Sequence, residues 1–273
     1  MSALDSGDRW LYLGAGRDGD LGGVSDILVR RHTSLDMNAV LLVGEASALV
    51  VDTGAHERAG HTLLSAIREV TRLPLAVVLT HAHYDHCGGT AGFGEVTVYA
   101  HPGCRRALER GAGQVPPRPV LPNRECSART ELDLGGRVVV LEHPGPAHTD
   151  HDLVVHVPDA DVLVAGDLVE QGGDPQFEDS FPDSWPAALD RLLVGHGGSP
   201  GMIGPDTVVV PGHGEPVNRG FVKHQREVIA GLAHRCSAPD AEPAAIAAAL
   251  SVQPTTARSV ADRLRALSAG SAR

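Results

Sequence analysis

The alternation of apolar and polar positions divides the chain into short apolar runs, punctuated by turn residues, and a smaller number of helical stripes. Asn38 to Val43 and Ala48 to Asp52 are apolar runs separated by Gly44-Glu45-Ala46-Ser47, which predicts a β-hairpin. From Glu57 to Arg72, Leu63, Leu64, Ile67 and Val70 recur at helical spacing, and Pro74 closes this amphipathic helix. Leu75 to Thr80 is apolar nearly throughout, as in a strand covered on both faces. Val96 to Ala100 reads as a strand, Pro102 to Arg110 as a short helix, and the proline-rich stretch from Gly111 to Asn123 as a loop. Val138 to Glu142, Leu153 to Val157 and Val162 to Ala165 are the next strands. A polar segment from Glu170 to Ser184 leads into a helix with Pro186 in its first turn and Leu189, Leu192 and Leu193 on one face. Thr207 to Val210 is the last buried strand, followed by helical patterns over Arg219 to Arg235, Pro243 to Leu250 and Thr255 to Leu267.

A hairpin, then alternating helices and strands, then strands and helices predicts an α/β (α+β) architecture, with sheets carrying helices on their outer faces. No short-period repeat and no separating linker is visible, so one domain is expected over residues 1–273. Its core would span about 25–218, with a C-terminal helical segment over about 219–273. Val260, Leu264 and Leu267 share a face of that segment, and packing on the chain's own core is expected.

Composition narrows the class. At 273 residues and 42% hydrophobic, the chain can bury a sizeable core, and only 3% aromatics means that aliphatic side chains fill it. A net charge of −11 disfavours nucleic acid and anionic membrane surfaces as partners. No apolar run reaches the roughly 18–20 residues of a membrane span. Met1 to Arg9 lacks a basic stretch followed by an apolar one, so no secretion signal is expected and a cytoplasmic location is the default. The four cysteines, widely spaced and without a CxxC pair, are expected as free thiols.

Histidine is the outlier, with 15 residues, and its placement is informative. Thr80-His81-Ala82-His83-Tyr84-Asp85-His86-Cys87-Gly88-Gly89 follows a buried strand directly. Three imidazoles and a carboxylate in six residues form the donor set that zinc and similar ions prefer. Further along, His148, Asp167 and His213 each follow a predicted buried strand, within Ala147-His148-Thr149, Gly166-Asp167 and Gly212-His213-Gly214. His143 and His151 are nearby alternatives to His148.

These motifs, with Val51-Asp52-Thr53-Gly54, make the chain resemble the metallo-β-lactamase-fold superfamily of hydrolases over about Asn38 to Pro216. The resemblance implies a four-layer αββα sandwich with two metal ions at the edge of its sheets. It makes His81, His83 and His148 ligands of a first ion, and Asp85, His86 and His213 ligands of a second. Asp167 would bridge the two, and Asp52 would steady the ligand loop from behind. One motif departs from the family pattern: Ala147 stands before His148, where glycine is usual.

Two divalent cations against two carboxylates leave a positive centre, able to activate water as a bridging hydroxide and to polarise a carbonyl. The resemblance implies a dinuclear zinc hydrolase acting on a small ester, thioester, lactone or amide, with Asp85 relaying a proton to the leaving group. Iron or manganese also suits this donor set. No cysteine replaces Asp85 or Asp167, unlike the second site of several β-lactamase subclasses, so the set looks more like glyoxalase II and related general hydrolases. β-Lactamase activity and a mononuclear iron oxygenase resembling persulfide dioxygenases are the alternatives, and a nuclease of the RNase Z type conflicts with the acidic charge. Leu168, Val169 and Glu170 stand where lactonases of this fold carry a tyrosine, and Lys223 is the only lysine. Glu170, Phe177, Phe181 and Trp185 are expected to line the pocket of a small-molecule substrate. Cys87, although next to His86, is expected to pack as a small hydrophobe.

Overall fold

The fold is that of a computed structural model, which describes residues 9–13, 27–32, 34–111, 113–127 and 129–271. The leader expectation at residues 1–8 and the core boundary near residue 25 lie outside the described residues. Strands β1 (Trp10–Leu13), β2 (Ile27–His32), β3 (Met37–Val43) and β4 (Ala48–Val51) pair antiparallel in sequence order. The predicted hairpin is β3–β4, closed by the Gly44 N–H donating to the Ser47 carbonyl at 3.0 Å. Strands β5 (Leu75–Val78), β6 (Thr97–Ala100) and β7 (Arg124–Glu125) continue this half in parallel.

The other half is the antiparallel run β8 (Thr130–Asp133), β9 (Val138–Glu142), β10 (Val154–Val157) and β11 (Val162–Glu170). Strand β14 (Val208–His213) pairs parallel to β11. The halves join at one register pair, His213 with Met37 of β3. A small hairpin of β12 (Gly195–His196) and β13 (Ser199–Pro200) lies apart.

Period-two alternation sorts the strand side chains into layers. Val40, Leu42, Leu49, Val51 and Val78 from one half share a core with Val139, Leu141, Val155, Val164 and Val210 from the other, so the halves face each other. The intervening residues Ala39, Leu41, Val50 and Val77 point outward against helices α1 (Glu57–Val70) and α3 (Pro102–Arg110). Val140, Val154, Leu163 and Val209 point outward on the other side, against α4 (Trp185–Val194), α5 (Arg219–Cys236), α6 (Pro243–Leu250) and α7 (Pro254–Ser271). Helix, sheet, sheet and helix make the four-layer α/β sandwich, and Val260 and Leu264 of α7 are buried in the chain's own outer core.

Two departures from the sequence reading matter for the site. Strand β11 does not end at Ala165 but runs to Glu170, buried at all nine positions. It does so across register shifts at Gly166, whose φ of +54° and close approach to Thr80 suit glycine. Strand β14 likewise runs on through Pro211 and Gly212 to His213. The histidine-rich motif forms the short helix α2 (Tyr84–Cys87) and a 3₁₀ turn over Gly88–Phe93.

Candidate metal centre

The metal-ligand candidates gather on the rim where the two halves meet. His81 and His83 follow β5, Asp85 and His86 lie in α2, Asp167 is in the continuation of β11, and His213 ends β14. His148 lies in the loop between β9 and β10. One donor atom from each of His81, His83, His148 and Asp167 falls within 4.8 Å of the others, and so does one from each of Asp85, His86 and His213. Asp167 lies between the clusters: Oδ1 is 3.1 Å from His86 Nε2, while Oδ2 is 3.5 Å from both His148 Nε2 and His213 Nε2. His143 and His151 stand outside both clusters: His143 bonds the Asp152 carbonyl, and His151 Nε2 accepts from the Ala82 N–H at 3.2 Å.

The outer nitrogens of the imidazoles fix what the inner ones present. His213 Nδ1 lies 2.8 Å from the Leu35 carbonyl, which can only accept, so Nδ1 carries the hydrogen. His86 Nδ1 donates to Asp52 Oδ2 at 2.7 Å, and His83 Nε2 to Asp179 Oδ2 at 3.0 Å. The Thr80 hydroxyl gives its one hydrogen to Asp52 at 2.7 Å and therefore accepts from His81 Nδ1 at 3.0 Å. In the neutral rings, the remaining nitrogens are bare lone pairs. His86 Nε2 and His213 Nε2 face each other at 3.3 Å, and His83 Nδ1 lies 3.0 Å from Nε2 of His148, whose own Nδ1 is buried without a hydrogen-bond partner. His81 Nε2 is buried with no hydrogen-bond partner. Converging lone pairs beside carboxylates repel unless a cation lies among them, so the donor set fits a divalent metal.

Charge shifts express the same demand. Burial opposes a charge on His86, yet Asp167, Asp85 and Asp52 outweigh it and raise its pKa well above the ordinary value. His213 is partly buried, which also opposes its charge, but hydrogen bonds to Asp167 and Asp85 raise it to about 10. Burial and the neighbouring His86 and His83 hold His81 well below its usual value, and burial takes His148 down to about 4. Asp167 resists burial through His86 and His213 and stays well below the carboxylate range.

A cleft of about 230 Å³ opens onto the cluster, lined by His83, Asp85, His148, Asp167 and His213 together with Gln114, Glu170 and Gln176. Glu170 lines this cleft, where its carboxylate accepts the Gln176 N–H at 3.0 Å. Burial and the nearby Asp167 push its pKa well above the usual value. The aromatic expectation needs correction, because Phe177, Phe181 and Trp185 do not line the cleft. Phe177 and Trp185 are 1% and 0% exposed in the outer core, since large apolar rings gain more there than at a wet rim. Trp185 donates from Nε1 to the Leu168 carbonyl and sets its ring against His148, and Phe181 lies beneath the Arg263 guanidinium. Cys87 is buried in the apolar core under α1, and burial raises its thiol well above the usual value.

Sequence reasoning missed Asp179, Gln114 and Gln176. Asp179 lies 96 positions from His83, in the polar segment that carries no motif, and no pattern along the chain announces it. Asp52 does sit where the motif put it. Its left-handed φ of +60° turns the carboxylate back onto Thr80 and His86.

The profile of the Metallo-beta-lactamase superfamily matches residues 34–213. The chain is 25% identical to a metallo-beta-lactamase type 2 of Bacillus cereus over 197 residues, covering 70% of this chain and 72% of that protein. It is 30% identical over 152 residues to the probable metallo-hydrolase YqgX of Bacillus subtilis, covering 51% and 69%. It is also 29% identical over 164 residues to the acyl-coenzyme A thioesterase MBLAC2 of Gallus gallus, covering 50% and 58%. Among solved structures, a metallo-beta-lactamase from Pontibacter korlensis superposes with a TM-score of 0.64 over 81% of this chain and 99% of that one, at 22% identity, which shows the shared fold. With the profile spanning the hairpin through the last ligand candidate, the chain belongs to the metallo-beta-lactamase superfamily and is a metal-dependent hydrolase.

Proposed function

We propose that the protein is a dinuclear zinc hydrolase of a small, uncharged carbonyl ester, thioester, lactone or amide. The observation that carries this reading is the convergence of five imidazoles, four of them anchored by an outer hydrogen bond, on two points with the Asp167 carboxylate between them. His81, His83 and His148 would hold one ion and Asp85, His86 and His213 the other, with Asp167 shared. Bound zinc supplies a water of lowered pKa and a Lewis acid for the carbonyl.

The chain's own groups do the rest. Asp52 and Asp179 orient ligand rings from behind, and Glu170 and the amides of Gln114 and Gln176 give the cleft hydrogen-bonding walls. Asp85 is at the cleft with its side chain 14% exposed, placed to hold a proton for the leaving group. No lysine or arginine is among the described lining residues, which supports a substrate without an anionic group beside the reacting carbonyl. β-Lactams, which carry such a carboxylate, are accordingly the weaker substrates of this proposal. No helix among the described residues is long and apolar enough to cross a membrane. The four free, buried thiols suit a reducing compartment such as the cytoplasm.

Elemental analysis paired with a chromogenic panel of esters, thioesters, lactones and β-lactams tests the proposal. About two zinc ions per chain and chelator-sensitive turnover of one carbonyl class are expected. One iron per chain without hydrolysis would overturn it in favour of the oxygenase.

A further inference from the structure

The C-terminal helix reaches the metal centre through a chain of contacts. Asp179 Oδ2, which accepts from His83 Nε2, belongs to the segment between β11 and α4. That segment is held at both ends by α7 and the residue just before it. Near its start, Asp174 Oδ2 accepts from the Gln253 N–H at 2.6 Å and from the Thr256 hydroxyl at 2.7 Å. Near its end, Arg263 donates from one terminal nitrogen to the Asp179 carbonyl at 2.9 Å and from Nε to the Ser180 carbonyl, and its guanidinium covers the Phe181 ring at 5.2 Å. One guanidinium thus grips three consecutive residues. Its helix is a firm base, since Ala257, Val260, Ala261 and Leu264 are buried in the outer core. The Asp179 side chain is half-exposed, so without this backbone clamp it could turn to water rather than to His83.

We propose that Arg263 and Asp179 form a positioning relay, through which helix α7 orients the His83 ring and strengthens the binding of one of the two ions. This rests on the two-ion reading above. A carboxylate on the outer nitrogen holds the ring in the tautomer whose Nδ1 lone pair faces the site, and raises the basicity of that lone pair. The ion held by Asp85, His86 and His213 has its own outer partners in Asp52 and the Leu35 carbonyl, and lies outside the relay.

Zinc is titrated into the full-length, metal-free chain against a chromophoric chelator, so that two binding steps are resolved. Asp179→Ala should weaken one step roughly 10- to 100-fold and leave the other unchanged, as outer partners of metal-bound histidines do. Arg263→Gln should act in the same direction but less. Arg263→Lys should restore part of the loss, because an ammonium cannot span two carbonyls as a guanidinium does. Imidazole nitrogen spectra of the metal-free chain should show His83 as the Nε2–H tautomer in the wild type and a tautomer mixture in Asp179→Ala. Asp179→Asn is close in size to the native residue and serves as the folding control. Unchanged affinity in both steps for Asp179→Ala, or equal weakening of both steps, overturns the relay. A wild-type chain that binds fewer than two ions overturns the two-ion reading instead, so the two failures are distinct.

Discussion

A β-carbon at position 212 would stand 1.7 Å from Asp167 Oδ1, so the glycine before His213 exists to let a carboxylate pass. Gly212→Ala should displace Asp167 from between the clusters. A loss of zinc binding and a fall in kcat/KM of roughly a hundredfold or more are expected, as misplacements near 1 Å produce; normal zinc content and activity would refute this. The same scale shows why some residues were legible and others were not. His81, His83, Asp85 and His86 lie in six consecutive positions, so their chemistry is visible as a motif. Asp179 and Gln114 meet the site only because separate loops fold onto it. Phe177 and Trp185 misled because closeness to Asp167 along the chain does not tell whether a ring faces the cleft or the core.

At the scale of an element, capping and bulges decide what periodicity leaves open. His101 caps helix α3, its Nδ1 accepting the Gly103 N–H at 3.1 Å while its ring stacks on His143 at 4.4 Å. Burial, His143, His151 and Arg106 lower its pKa from 6.5 to about 4. The unfolded chain therefore binds the proton first, and the stability held by neutral His101 is lost as pH falls from 6.5 toward 4. His101→Asn keeps a capping acceptor and removes the titration. Thermal melts of the metal-free proteins at about pH 7 and about pH 5 should show the wild type losing more stability than the variant; parallel losses would count against it. The β11 extension was invisible for a related reason. Gly166 and Asp167 read as a strand end, but the parallel pairing with β14 carries the strand through the bulge to Glu170.

For the whole molecule, the metal centre lies on the seam between the halves of the sandwich, where β14 meets β3 at a single register pair. Its ligand candidates come from both halves, so bound ions would tie the halves together. Chelation should lower the thermal midpoint by several degrees and added zinc should restore it, in proportion to the logarithm of free zinc above its dissociation constant. A midpoint indifferent to zinc would show that the ions do not bind the folded state preferentially.

The amino-acid sequence by itself determined the alternating strands, the amphipathic helices and the metal-ligand candidates, because apolar periodicity and donor clustering act over a few neighbouring residues. Only the tertiary structure decided the outer partners of His83 and His213, which loops wall the cleft, and that α7 clamps the segment behind His83. Those contacts join residues 84 to 178 positions apart. They exist because burial of the two outer cores brings their elements together, and no local pattern encodes them.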